Sequence, residues 1–264
     1  RTHGYWGGGY LGNPLARSEL SRLDFASEVM SVPGTYLPTN NYNAAQMQNS
    51  EYGYAVGGNT GITYKSIIFR VDFNTETSTD ITETMPDYYY DGSATQSDSY
   101  GYVVGGRIGT SDSTGIRRFD FTSETLSLIP AVTEEVSRIF GITENSHSAI
   151  MQRGLFNART SNLSKLEFSS ETVRTHTAQT TVAMEGSLAY SNIDNGYFSA
   201  GYSPVSSIGG SIYDKRDKID FANDTTTALP DFPVSKAGLG GFTNRGTVTR
   251  RRTPKTIGYF MGGY

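Results

Sequence analysis

Apolar and polar positions alternate along most of this chain with the two-residue period of extended strands, in short segments separated by polar turns. Residues 67–73, Ile-Ile-Phe-Arg-Val-Asp-Phe, are rich in β-branched and aromatic side chains. Asn74-Thr75-Glu76 supplies turn chemistry, and residues 77–82 predict a polar partner strand. Upstream, residues 44–50 and 52–56 predict two further short strands. The second runs into Gly57-Gly58, a pair that permits positive φ and close backbone approach. A proline segment, Met85-Pro86, closes the unit, and it recurs as Ile129-Pro130 and Leu229-Pro230. Proline there cannot continue a central ladder, so the chain crosses to a new sheet.

The unit repeats. Carboxylate–Phe pairs at Asp24-Phe25, Asp72-Phe73, Asp120-Phe121, Glu167-Phe168 and Asp220-Phe221 are spaced by 48, 48, 47 and 53 residues. Four short strands per unit of about 48 residues predict one blade of an all-β propeller, since such a unit buries its faces only against its neighbours. A single domain over residues 1–264 is expected, with repeats near 4–51, 52–99, 100–147, 148–194 and 195–255, and residues 256–264 as a closing or clasp strand. Second-strand segments begin near Gly4, Gly53, Gly101, Ser148, Gly196 and Gly258, one more than the carboxylate–Phe pairs. The expected closure has residues 238–243 completing the sheet begun by residues 4–10, giving five blades. Six blades, two of them incomplete, is the alternative. The fourth unit has lost its double glycine, at Ala149-Ile150-Met151-Gln152-Arg153-Gly154, yet residues 163–172 keep the hairpin pattern. The fifth carries insertions at 203–215 and 245–255.

These residues resemble the kelch repeat, with Gly-Gly ending the second strand, an aromatic-acidic third strand and Met-Pro after the fourth. The departure is tryptophan, which kelch units place in the fourth strand. Thr77, Thr125 and Thr172 stand there, and the only tryptophan is Trp6. Gly196-Tyr197-Phe198-Ser199-Ala200-Gly201 and Lys218-Ile219-Asp220-Phe221-Ala222-Asn223-Asp224-Thr225 are similar to kelch-like repeats in structural proteins of marine cyanobacterial phages. That resemblance covers nearly the whole chain. It implies a virion location, on a tail, fibre or capsid, among other subunits of a multimeric assembly, with a secreted or cell-surface location as the alternative. It carries over no catalytic residue.

Composition agrees with strands and turns: 30 glycines, 18 tyrosines and 13 phenylalanines. A net charge of −4 gives no global attraction to nucleic acid or an anionic membrane, so neither is an expected partner. The absence of cysteine removes disulfides, thiolate catalysis and Cys-type zinc sites, together with a tyrosine–cysteine copper-radical cofactor. No apolar run approaches the roughly 20 residues of a membrane span. The start, Arg1-Thr2-His3-Gly4-Tyr5, is not a signal peptide and lacks methionine, which is the expectation for a processed product or part of something longer.

Candidate chemistry lies where the copies disagree. Connections after the second and fourth strands emerge on one face and vary in length, whereas those on the other face are tight hairpins apart from the 245–255 insertion. The candidate ligand-face residues are Tyr36, Tyr42, Tyr88, Tyr89, Tyr90, Arg107 and Asp112. Tyrosines offer rigid contact area with a polar tip, suited to sugar or protein surfaces, and packing between repeats is the alternative for the Tyr88–Tyr90 run. Arg250-Arg251-Arg252 is a candidate for docking onto an acidic neighbouring subunit, or else a solvated loop.

His3, His147 and His176 lie in separate contexts without metal-ligand spacing, so no metal and no cofactor is expected. The repeated Asp24, Asp72, Asp120, Glu167 and Asp220 keep a fixed place beside Phe, which points to structural hydrogen bonding rather than catalysis. The expectation is a non-enzymatic binding or structural propeller presenting loops for host-surface attachment, to glycan or protein, or for subunit contact. An extracellular carbohydrate-binding or carbohydrate-active propeller, and a purely architectural subunit, are the alternatives.

Overall fold

A computed structural model describes residues 3–10, 16–130, 141–153, 160–183, 187–203, 211–233, 240–243 and 258–261. The described chain is all-β, with antiparallel sheets and no helix. It divides into two compact units, Arg1–Pro130 and Ala131–Tyr264.

The first unit holds a three-stranded sheet of His3–Tyr10, Ala16–Asp24 and Met30–Ser31, followed by two four-stranded sheets. Ala45–Gln48, Tyr52–Val56, Ile67–Asp72 and Thr77–Thr84 pair in chain order, as do Ser93–Gln96, Tyr100–Val104, Ile116–Asp120 and Thr125–Leu128. The repeat period therefore marks one sheet each time. Met47, Tyr54, Val56 and Ile68 of one sheet share a core with Val103, Phe119 and Phe121 of the next. The Phe of each carboxylate–Phe pair explains part of this contact. Phe73 stacks on Tyr5 of the preceding repeat with centroids 5.1 Å apart, and Phe121 stacks on Tyr54 at 5.6 Å. Gly57 and Gly58 have positive φ, and a Cβ on either would come within 2.1 Å of Tyr89 O or 1.9 Å of Asn41 Oδ1 respectively.

The repeated aspartates are structural, as their fixed place predicts. Asp72 Oδ1 accepts from the backbone N–H of Asn74 and Thr75 at 2.8 and 3.0 Å, and Asp24, Asp120 and Asp220 do the same two and three residues on. These bonds close the turn and hold each carboxyl below its ordinary pKa, Ser27, Thr75, Ser123 and Asn223 contributing most. Glu167 differs: its carboxylate faces Lys165 at 3.6 Å and Arg174 at 3.4 Å, because the longer side chain reaches past the turn.

A second device was not anticipated. The residue four after each repeated carboxylate is Glu28, Glu76, Glu124, Glu171 or Asp224, and each has φ between 52° and 58°, a left-handed conformation that glycine adopts more easily. An acid stands there because its carboxylate reaches a neighbouring repeat: Glu76 Oε1 accepts from Arg22 at 2.7 Å and from the Tyr5 hydroxyl at 2.9 Å.

In the second unit, Ile142–Glu144, Ser148–Gln152, Asn162–Glu167 and Thr172–Gln179 form a complete four-stranded sheet despite the lost double glycine. Buried Ser164 accepts a 2.8 Å bond from Arg153 Nε, and Arg153 Nη2 donates to Thr175 at 3.0 Å. Leu188–Ser191, Asn195–Ser203, Ser211–Asp220 and Thr225–Leu229 form the next sheet. Ile150 and Leu163 of the first sheet pack with Phe198, Ile219 and Phe221 of the second. Gly240–Thr243 pairs antiparallel with Gly258–Met261, which places the segment expected to close the repeat beside the strand expected to complete the first repeat's sheet.

Candidate functional site

The connection after Tyr100–Val104 folds into structure of its own. Arg107–Ile108 pairs with Ser111–Asp112 on one side and with Tyr89–Tyr90 on the other, giving a small three-stranded sheet above the larger one. Register places Arg107 opposite both Tyr90 and Asp112. The residues forty-eight positions earlier make the same contacts as isolated bridges, Tyr42 with Asn59 and Asn59 with Tyr64. Backbone pairing is thus repeated while the side chains change, Asn59 becoming Arg107 and Tyr64 becoming Asp112.

The two connections meet through side chains. A turn closed by Thr60 N to Thr63 O at 2.9 Å delivers Tyr64, and Lys65 O accepts from Tyr89 N at 2.8 Å beside it. The Tyr64 ring lies on the Tyr90 ring with centroids 3.9 Å apart and planes 18° from parallel. Arg107 sits with Cζ 5.3 Å from the Tyr90 centroid, its Nε 3.3 Å from Asp112 Oδ1 and its Nη2 donating to Thr110 O at 3.1 Å. Burial pushes the Tyr90 phenol up in pKa, against the lowering pull of Arg107. The result is a platform: one exposed aromatic ring on a buried one, with a neutralised arginine–aspartate pair alongside.

The structure brings together three of the seven candidate ligand-face residues, Tyr90, Arg107 and Asp112. Tyr88 lies in the same run, 50 % exposed, and its carbonyl accepts from Gly109 N at 2.9 Å. Tyr89 leaves the candidate set: it is fully buried, packs with Met85 and Val103, and its hydroxyl donates to Val104 O at 3.2 Å. Tyr90 is buried as well and acts as support for Tyr64 rather than as contact surface. The alternation of a strand explains why adjacent tyrosines differ. Tyr36 is exposed and bridges Glu19, while Tyr42 is half-buried against Asn59. Arg250, Arg251 and Arg252 lie outside the described residues.

Tyr64 was missed as a site residue. The signal was present: it is the aromatic residue of a variable loop, standing one period before an aspartate. The exposed Ile62, two residues away, adds apolar surface on the same turn.

A charged cluster occupies the second unit. Asp224 Oδ1 accepts from Lys165 Nζ at 2.8 Å, and Oδ2 from Arg174 Nη2 at 3.0 Å. Burial raises the Asp224 pKa, but these bonds outweigh it and hold the carboxyl below its usual value. His176 is buried; its Nδ1 accepts from Ala178 N at 3.1 Å, and its Nε2 lies 3.3 Å from Asp224 Oδ1. The charges answer one another in the way Arg22 answers Glu76. His3 Nε2 contacts Asp24 at 3.1 Å, and the His147 backbone N–H caps a turn on Asn145. Among the described residues no group of three or more His, Asp or Glu is arranged to hold a metal ion.

No protein-family model matches this chain, and a search of curated proteins finds no significant relative.

Proposed function

We propose that this chain is a non-enzymatic, kelch-like β-propeller of a phage virion, which presents its variable loops for attachment to a host surface or for contact with neighbouring subunits. The observation that carries the reading is the Tyr64–Tyr90–Arg107–Asp112 platform, where loop residues that break the repeat converge on a rigid, backbone-paired support. The residues that keep the repeat do structural work, as the turn bonds of Asp24, Asp72, Asp120 and Asp220 illustrate. Single loop contacts of this size are weak, and copies displayed on one particle multiply them through effective concentration. Successive four-stranded antiparallel sheets at the repeat period support the propeller. Five blades is the proposed count, with six, two of them incomplete, as the alternative.

An extracellular carbohydrate-binding propeller is the second reading, favoured by the exposed ring of Tyr64, supported from one side by Tyr90. Electron cryo-microscopy of the chain in its native particle tests the proposal and counts the blades. Loops around Tyr64 and Tyr88 facing solvent are the expected result. The same loops buried against other subunits would leave only an architectural role, and turnover of a polysaccharide by the isolated chain would overturn the non-enzymatic reading.

A further inference from the structure

We infer that Arg117 is an oxyanion-binding residue, whose guanidinium takes a carboxylate or sulfate group at the edge of the junction between the two four-stranded sheets of the first unit. The site stands apart from the Tyr64 platform and does not depend on what the loops attach to.

Three observations lead there. The first is position. Arg117 lies opposite Val103 in the strand register, with Phe119 two residues on, so its side chain leaves from the face on which these two buried residues pack against the preceding sheet. The residue three before the repeated carboxylate is Phe69 in the second copy, Ser164 in the fourth and Asp217 in the fifth, all fully buried. The two polar ones are satisfied: Ser164 accepts from Arg153 Nε at 2.8 Å, and Asp217 accepts from the Thr181 backbone N–H at 3.0 Å and from the Thr181 hydroxyl.

The second is the missing counter-charge. Among the described residues Arg117 is the one arginine with no hydrogen bond, ion pair or ring contact. Hydrogen bonds to Glu76 and Asp224 raise the pKa of Arg22 and Arg174 respectively, whereas burial lowers that of Arg117, with the Tyr89 phenol acting the other way. A cation taken partly out of water without a partner costs stability, and an oxyanion that supplies the partner recovers it. The planar guanidinium offers paired N–H donors that match two oxygens of one carboxylate or sulfate group.

The third is access. Arg117 is half-buried rather than enclosed, and a Cβ on Gly115 would lie 4.0 Å from Arg117 Nη1 and 3.3 Å from Leu128 Cδ1. Leu128, the cross-strand partner of Arg117, is 60 % exposed. The guanidinium therefore ends beside a glycine of the variable connection and an exposed side chain, where a ligand group reaches it without opening the sheet junction.

The test titrates the full chain with sodium sulfate and with sodium glucuronate, against sodium chloride at equal ionic strength, and follows the backbone amide signals of Gly115 and Leu128 by NMR. Saturable shifts with the two oxyanions and none with chloride are expected. Arg117→Phe, which installs the residue of the second copy, should abolish that response while leaving the urea midpoint in chloride unchanged or higher. Arg117→Met removes the charge without adding a ring and decides in its place if the phenylalanine does not fit. Arg117→Lys keeps the charge but not the planar fork and should weaken binding about threefold or more. Tighter binding of a uronate-bearing oligosaccharide than of glucuronate would assign the anion to a polysaccharide, and equal binding would assign it to a small solute; both outcomes support the site. No saturable response to either anion, a response that survives in Arg117→Phe and Arg117→Met, or a fall in the urea midpoint of both variants in chloride would overturn the inference.

Discussion

Arg70 donates from Nη1 to Glu124 Oε1 at 2.9 Å, joining the third strand of one repeat to the hairpin turn of the next. Arg22 makes the same contact with Glu76 at 2.7 Å. In both turns the acid has positive φ, which costs a non-glycine residue roughly 1–2 kcal/mol. The pair is partly shielded from solvent, so a double-mutant cycle on Arg70→Met and Glu124→Gln is expected to give a coupling of about 0.5–1 kcal/mol in urea unfolding. Glu124→Gly loses the pair and relieves the strain together, and should come out within about 1 kcal/mol of the unaltered chain. Zero coupling in the cycle would remove the contact as a link between repeats.

Gly57 and Gly58 leave no room for a side chain. Gly57→Ala places Cβ at 2.1 Å from a backbone oxygen, in a left-handed conformation as well, and the loss of stability should exceed about 2 kcal/mol. Ala55→Gly in the preceding strand serves as a reference for ordinary strand weakening, about 1 kcal/mol. Equal losses at the two positions, measured as urea midpoints, would contradict the close approach seen here.

Acid should unfold the protein through its turns. Asp24, Asp72, Asp120 and Asp220 all have carboxyl pKa values lowered by backbone N–H donors. A lowered folded-state pKa gives stability that is present above the ordinary carboxylate value and disappears as pH falls through the folded one. The loss is therefore expected below about pH 4. Asp72→Asn keeps an acceptor without the charge and should flatten that dependence; an unchanged slope in urea titrations from neutral to acid pH would count against the caps.

Alkaline pH probes the same junctions from the other side. Burial, followed by the hydrogen bond to Glu76, pushes the Tyr5 phenol up to about 12, and burial with the bond to Glu124 raises Tyr54 as well. Stability from these groups is complete below the ordinary phenol value near 10 and is lost as pH rises through the raised ones. In ultraviolet difference titrations, Tyr5→Phe and Tyr54→Phe should leave the ionisation amplitude below about pH 11 unchanged. A drop in that amplitude would place either hydroxyl in contact with solvent.

Much of this architecture is determined by sequence alone. Strand positions such as Tyr52–Val56 and Ile67–Asp72 follow from alternation and turn residues, and the period of 48 residues predicts where each sheet recurs, because strand propensity and turn chemistry are local. The role of the repeated aspartates is equally local, the backbone N–H groups that donate to them lying two and three residues away. The ion pairs were half visible. A cation two residues before each carboxylate and an acid four residues after it recur in all five copies, but spacing along the chain does not say that the acid of one copy meets the cation of the copy before it. The candidate site depended on tertiary structure for the same reason. Tyr89 and Tyr90 are alike in sequence, yet one fills the core and the other supports Tyr64. Tyr64 and Arg107 come from loops 43 residues apart that share no motif. Which side chains meet at such a junction is decided by how neighbouring sheets pack, a relationship that no local pattern encodes.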